Sequence, residues 1–228
     1  MQLFLPIFQT LIFHYFYPMM NFVPTLPLTT VIFPGENLNL RLSGKAAVQL
    51  IRDCIAQQKP FGIVLKRTDV DFPVNFGTAC AATELVKTLK NGSIYVRVTG
   101  QKVFRILEPA QAIPGKEYEG AIVEYPHHQE VKVHPKTETL IISEVKRLYK
   151  LLHLEKKFPD KPGNWQSFDF AHKIGLSLQQ EYELLTIHSE IQRMEYIRRH
   201  LNAMKPVVLE LEAMKKRIRM NGHFRNLS

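Results

Sequence analysis

The chain has 228 residues, 45% of them hydrophobic, and carries 30 Lys and Arg against 21 Asp and Glu, a formal net charge of +9. That length suits one large domain or two small ones, and that apolar content builds a core without covalent staples. Two cysteines, Cys54 and Cys80, with no C-x-x-C between them, exclude a disulfide framework and a cysteine-type structural zinc site.

From Met1 to Gly35 there is no Lys, Arg, Asp or Glu. Leu3 to Tyr17 is apolar and aromatic but interrupted by Pro6, Gln9, Thr10 and His14. Secretion calls for a basic start and a small-residue cleavage site, and neither is visible. A spanning helix needs about 20 apolar residues, more than this run supplies. Met19 and Met20 stand just before a segment of β character. Translation is therefore expected to begin at one of them, which makes the first 18 residues an extension of the gene model, and residues 1–20 precede the first domain.

Leu26 to Leu42 reads LPLTTVIFPGENLNLRL. An apolar run meets a Phe33-Pro34-Gly35 turn. Leu38, Leu40 and Leu42 then alternate with Asn37, Asn39 and Arg41, the period of a half-buried strand. Gly44 to Gln58 predicts a helix with Ser43 as N-cap. Its apolar stripe is Ala47, Leu50, Ile51, Cys54 and Ile55, and Pro60 ends it. Phe61 to Lys66 is a strand buried on both faces. Asp69 and Asp71, beside Pro73, read as a solvated loop and not as a catalytic carboxylate pair. Asn91-Gly92 between Thr83–Leu89 and Ser93–Val98 predicts a hairpin with a type I′ turn. Gly100 is expected to turn the chain into Val103–Leu107, and Ala121–Tyr125 adds a strand. Many strands, one early helix and tight turns predict a small closed or partly closed barrel.

From Pro126 the pattern changes. Pro126, His127, His128 and Pro135 form a polar connection, and with His134 they read as exposed histidines, not a metal site. Ile141, Val145, Leu148 and Leu152 trace a helical stripe. Pro159, Pro162 and Gly163 mark a break before Trp165. Phe168 to Ile174 reads as a short helix closed by Gly175. Ser177 with Gln180, and Ser189 with Gln192, are capping-box pairs. The last helix carries Ile191, Met194, Ile197, Leu201, Met204, Val208 and Leu211, and Pro206 within it predicts a kink or a restart. Arg193, Arg198, Arg199, Lys205, Lys215, Lys216, Arg217, Arg219 and Arg225 concentrate the positive charge here, as a solvated helix face.

The order Leu26-Pro27-Leu28, Phe33-Pro34-Gly35, Leu38–Leu42, Phe61–Leu65, Phe76-Gly77-Thr78 and Gly92–Ile106 resembles the Lon protease N-terminal, substrate-binding domain. Gln180–Leu185 and Arg193–Leu201 resemble its helical end. The resemblance spans roughly residues 25 to 205. It implies an α+β fold: an N-terminal β-rich, PUA-like pseudobarrel with one early helix over residues 21–126, then an α-helical bundle over 134–221. The ATPase and the Ser-Lys protease module of that family's enzymes have no counterpart in these residues. A phosphate loop around Gly44-Lys45 would need Gly at Asn39 and Ser or Thr at Ala46. The expectation is a non-catalytic, cytoplasmic binding module without cofactor or metal. By the resemblance it engages unfolded polypeptide or a protease or chaperone partner, and no membrane.

Holding varied polypeptides needs exposed apolar and aromatic surface. Phe33, Phe72, Phe76, Trp165 and Phe168 are the candidates, with Met194 and Met204 more readily core. The alternative is an RNA-binding module, because the implied barrel type also serves RNA and the chain is basic. Tyr95, Arg97 and Arg105, with Phe104, would then supply stacking and phosphate contacts.

Overall fold

In this computed structural model, residues 21–110, 115–126, 134–151 and 165–223 are described. The chain divides into two compact units between residues 127 and 128. The first holds strands β1 (Asn21–Leu28), β2 (Asn37–Leu42), β3 (Phe61–Leu65), β4 (Phe76–Thr88), β5 (Ile94–Ala110) and β6 (Gly120–Glu124), and helix α1 (Lys45–Gln57). β1 runs parallel to β3, with Leu26 opposite Ile63, and antiparallel to β6, with Phe22 opposite Ile122. β4 lies antiparallel between β3 and β5, and β5 also pairs with β6. Five strands thus pair in a closed ring, and β2 adds outside it on β5.

The predicted alternation of β2 is observed, with Asn37, Asn39 and Arg41 exposed and Leu42 buried. α1 buries Leu50, Ile51 and Cys54. These pack with Ile32, Phe61, Ile63, Ile94, Val96 and Val98 in the main core of the unit. A smaller cluster gathers Val23, Ala79, Ala121 and Val123 around Phe104. Gly62 and Gly77 make room for that ring: a Cβ on either would stand 2.6 Å from its Cζ.

Three local expectations are corrected. The N-cap of α1 is Gly44 at φ +92°, with no side-chain cap bond, so Ser43 comes one residue too early to cap. Gly100 makes no turn: β5 continues through it as one strand, with Gln101 the extra residue of a bulge beside it. It is instead a close backbone approach, with Gly35 N–H donating to Gly100 O and Gly100 N–H to Glu36 O, both at 2.9 Å. The β4–β5 turn is not type I′, because Gly92 has φ +82° while Asn91 does not have positive φ. Gly92 N–H bonds Leu89 O at 3.0 Å, Leu89 N–H bonds Ser93 O at 2.8 Å, and the Asn91 side chain accepts from Ser93 N–H. That is a three-residue loop, in which a type I turn is followed by one left-handed glycine.

The second unit holds helices α2 (Pro135–Leu151), α3 (Leu178–Thr186) and α4 (Glu190–His223). α2 buries Ile141, Val145 and Leu148, and α4 buries Met194, Ile197 and Leu201. The expected short helix at 168–174 is two 3-10 turns, Ser167–Asp169 and Ala171–Lys173, followed by Gly175 at φ +79°. The Ser177 box forms: Gln180 N–H donates to Ser177 Oγ at 3.2 Å, and Ser177 N–H donates to Gln180 Oε1 at 2.9 Å. α4 continues through Pro206 as one helix, so there is no restart. The His127–His128 connection, Leu152 and the Pro159–Gly163 break lie outside the described residues.

Candidate functional site

The length mismatch between strands leaves an open strand edge in the first unit. β3 pairs with β4 only over Gly77–Cys80. From Ala81 to Thr88, β4 pairs with β5 alone among the described residues, so its outer edge carries unsatisfied ladder groups. Ala82 opposes Val98, Glu84 opposes Arg97, Leu85 opposes Val96, and Lys87 opposes Tyr95. Thr83 and Val86 are the extra residues of two bulges. Across this arm β5 buries Ile94, Val96 and Val98 against the core, whereas Glu84 to Thr88 are exposed. Leu85 and Val86 remain 41% and 50% exposed. Sequence reasoning missed them as site residues. Two adjacent apolar residues in a strand break period two, and that signal could have marked a bulge with an apolar side chain outside.

Most of the predicted aromatic residues are half-buried. Phe33 is 1% exposed, which removes it from the surface. The reason is the Gly35–Gly100 backbone contact, which clamps the Phe33-Pro34-Gly35 turn onto β5. Phe72 and Phe76 are half-buried in the first unit. In the second, Trp165 is half-buried and stacks on Phe170 with centroids 5.7 Å apart. Phe168 is half-buried under the Arg193 guanidinium, 4.5 Å from its centroid.

Arg193 is itself the centre of a buried polar latch. Its Nε donates to Ser167 Oγ at 3.0 Å and to Glu190 Oε2 at 2.9 Å, and its Nη1 donates to Ile187 O at 2.7 Å. Glu190 in turn accepts from Ser167 N–H at 2.7 Å. This network positions Phe168 and the turn after Trp165, and its donors and acceptors already satisfy one another. Met194 is core, as its helical spacing implies.

Of the alternative residues, Tyr95 is half-buried, with the Arg41 guanidinium 6.0 Å from its ring centroid. Arg97 is held by Glu84 at 2.9 Å and Arg105 by Glu124 at 3.2 Å. Phe104 lies in the core and offers no stacking face.

A recess of about 70 Å³ opens between α2 and α4 and is floored by Leu148, Leu201, Met204, Val208 and Leu209. Ion pairs flank it, Arg147 to Glu212 at 3.0 Å and Lys205 to Glu144 at 3.7 Å.

Titration behaviour fits structural roles. Burial pushes the Cys54 thiol up to about 11 and the Cys80 thiol to about 12, so neither is a ready nucleophile. Hydrogen bonds from Lys116 and Tyr118 lower Asp53, which straps the segment before β6 to α1. No group of three His, Cys, Asp or Glu that could hold a metal ion occurs among the described residues.

A sheet-rich unit with one helix, followed by a helical unit, defines an α+β fold of known type. The family described as the ATP-dependent protease La (LON) substrate-binding domain matches residues 23–203, and the chain belongs to it. Among solved structures, a Lon N-terminal domain protein from Xanthomonas campestris is 22% identical with a TM-score of 0.61. That alignment covers 78% of this chain and 98% of that one. The N-terminal domain of a Mycobacterium avium complex Lon protease is 15% identical with a TM-score of 0.55, over 80% and 98% of the two chains. At these identities the likeness is one of fold. The comparison with curated proteins gives no match. No helix among the described residues is long and apolar enough to cross a membrane.

Proposed function

We propose that this chain is a non-catalytic module that holds unfolded polypeptide, and that the outer arm of β4 is its contact surface. Family membership supports the substrate class. The observation that carries the location is the one-sided pairing of Glu84–Thr88 beside half-exposed Leu85 and Val86. Backbone groups along such an edge bond any extended chain, whatever its sequence, and the two apolar side chains favour apolar residues in it. On the same reading the ring of strands is a PUA-like pseudobarrel, and a protease or chaperone receives the bound chain. The compartment is the cytoplasm, where Cys54 and Cys80, both free and buried, stay reduced.

RNA binding is the weaker reading. The Arg97–Glu84 and Arg105–Glu124 pairs are each neutral overall, so this face attracts phosphate less than its arginines alone would.

The test is retention of a permanently unfolded, reduced and alkylated protein by the immobilised chain. Leu85→Asp with Val86→Asp should weaken retention about tenfold or more, the loss of two apolar contacts. Unchanged retention would move the site elsewhere. Binding to structured RNA that falls steeply with salt would replace the reading.

A further inference from the structure

We propose that the C-terminal part of α4 pairs with the same helix face of a second copy of this chain, as a short antiparallel coiled coil. The stripe begins beyond residue 203, where the family match ends, so the substrate-binding unit does not account for it. Val207, Leu211, Met214 and Ile218 follow one another at steps of four, three and four, the a/d spacing of a heptad. All four lie in water, at 53%, 38%, 53% and 65% exposure.

The stripe is not the face that packs on α2. At about 100° per residue its four members fall within an arc of about 60°. Leu201, Lys205, Val208 and Glu212, which line the α2 recess or pair with α2, centre about 120° away on the same helical wheel. α4 therefore satisfies its own bundle with one side and presents a second apolar side to solvent.

Charge complementarity identifies the occupant. In an antiparallel pair with Leu211 opposite Met214 of the second copy, Val207 meets Ile218 of that copy, and the two-fold axis repeats both layers. In that register Glu210 flanks the seam beside Arg217 of the second copy, again twice. Four apolar layers are thus bordered by two opposite-charge pairs, all supplied by one sequence. Neutralising Arg217 in this way also relieves part of the cationic run Lys215-Lys216-Arg217.

The test is sedimentation velocity of the full chain over a wide concentration range. The expected result is a reversible monomer–dimer equilibrium. Leu211→Asp with Met214→Asp should weaken it about tenfold or more while leaving far-UV circular dichroism of dilute samples unchanged, since both residues are exposed. Glu210→Arg should weaken dimerisation, and adding Arg217→Glu should restore it. A wild-type chain that stays monomeric throughout would overturn the proposal, as would a dimer indifferent to the aspartate pair. Rescue of Glu210→Arg by Lys215→Glu, and not by Arg217→Glu, would overturn the antiparallel register. A monomer that binds phosphatidylserine vesicles through this stripe would overturn the choice of occupant.

Discussion

The Gly100 contact makes a sharp stability prediction. In Gly100→Ala the new Cβ would stand 2.2 Å from Phe33 O and 3.1 Å from Phe33 C. A carbon normally approaches a carbonyl oxygen no closer than about 3.3 Å, so the backbones must part by about 1 Å. Both 2.9 Å hydrogen bonds that join Gly100 to Gly35 and Glu36 would then stretch out of range. Two lost bonds, in a place where Gly100 is buried, cost about 3 kcal/mol together. For a unit of this size that lowers the melting temperature by about 15 °C. The control is Gly92→Ala, where φ is +82° but a Cβ meets nothing within 4 Å. It pays only the left-handed backbone penalty, about 1 kcal/mol. Urea unfolding followed by far-UV circular dichroism reads both variants, and fluorescence of Trp165, the single tryptophan, reports on the second unit. If Gly100→Ala costs no more than Gly92→Ala, the close-approach account is wrong.

The other predictions concern the buried polar groups. Arg193→Met removes the cation from the Glu190 carboxylate and the donors to Ser167 and Ile187, and should destabilise the second unit by about 3 kcal/mol in urea titrations read by Trp165. Burial and the bond to Asp53 raise the Tyr118 phenol to about 12 from 10.0. The folded state thus favours the protonated phenol, and the stability it contributes is full below pH 10 and lost between pH 10 and 12. Tyr118→Phe should flatten that part of the stability profile, and an unaltered slope would refute the assignment. Cys54 and Cys80 should react with a disulfide reagent at neutral pH only as fast as the protein opens, so that added urea accelerates labelling in parallel with unfolding.

Periodicity made most of the architecture readable. β2, α1 and the paired helices α2 and α4 each bury one face against a core, and β3 buries both, so their apolar spacing records the packing directly. The errors fall where a glycine serves a distant partner. Local sequence makes Gly100 a turn because its neighbour, the carbonyl of Phe33, is far away in sequence. For the same reason local sequence puts Phe33 on the surface: nothing nearby says that its turn is clamped by β5. Asn91-Gly92 announced a hairpin correctly, but the choice between a two- and a three-residue loop depends on register, which the bulges in β4 set. The candidate site was less legible than the fold. Exposure of Leu85 follows from β3 being shorter than β4, a relation between two strands that neither strand's own sequence contains.

An exposed strand edge bearing Leu85 and Val86 is also an aggregation hazard, and the two bulges bear on that. A bulge twists its strand and interrupts the regular row of donors and acceptors, so a flat sheet from another molecule cannot dock along the whole arm. A single flexible chain can follow a short twisted edge. Covering two half-exposed aliphatic side chains gains about 2–3 kcal/mol. A few backbone bonds add about 1 kcal/mol each, and the cost of association takes back several. The surplus is small, so each site holds its chain weakly. On the proposed function, weak holding is what passing a chain onward demands, since a module that bound tightly would retain its polypeptide. Tight, salt-insensitive binding of one defined sequence would therefore count against this edge as the site, even if that binding were lost with Leu85 and Val86.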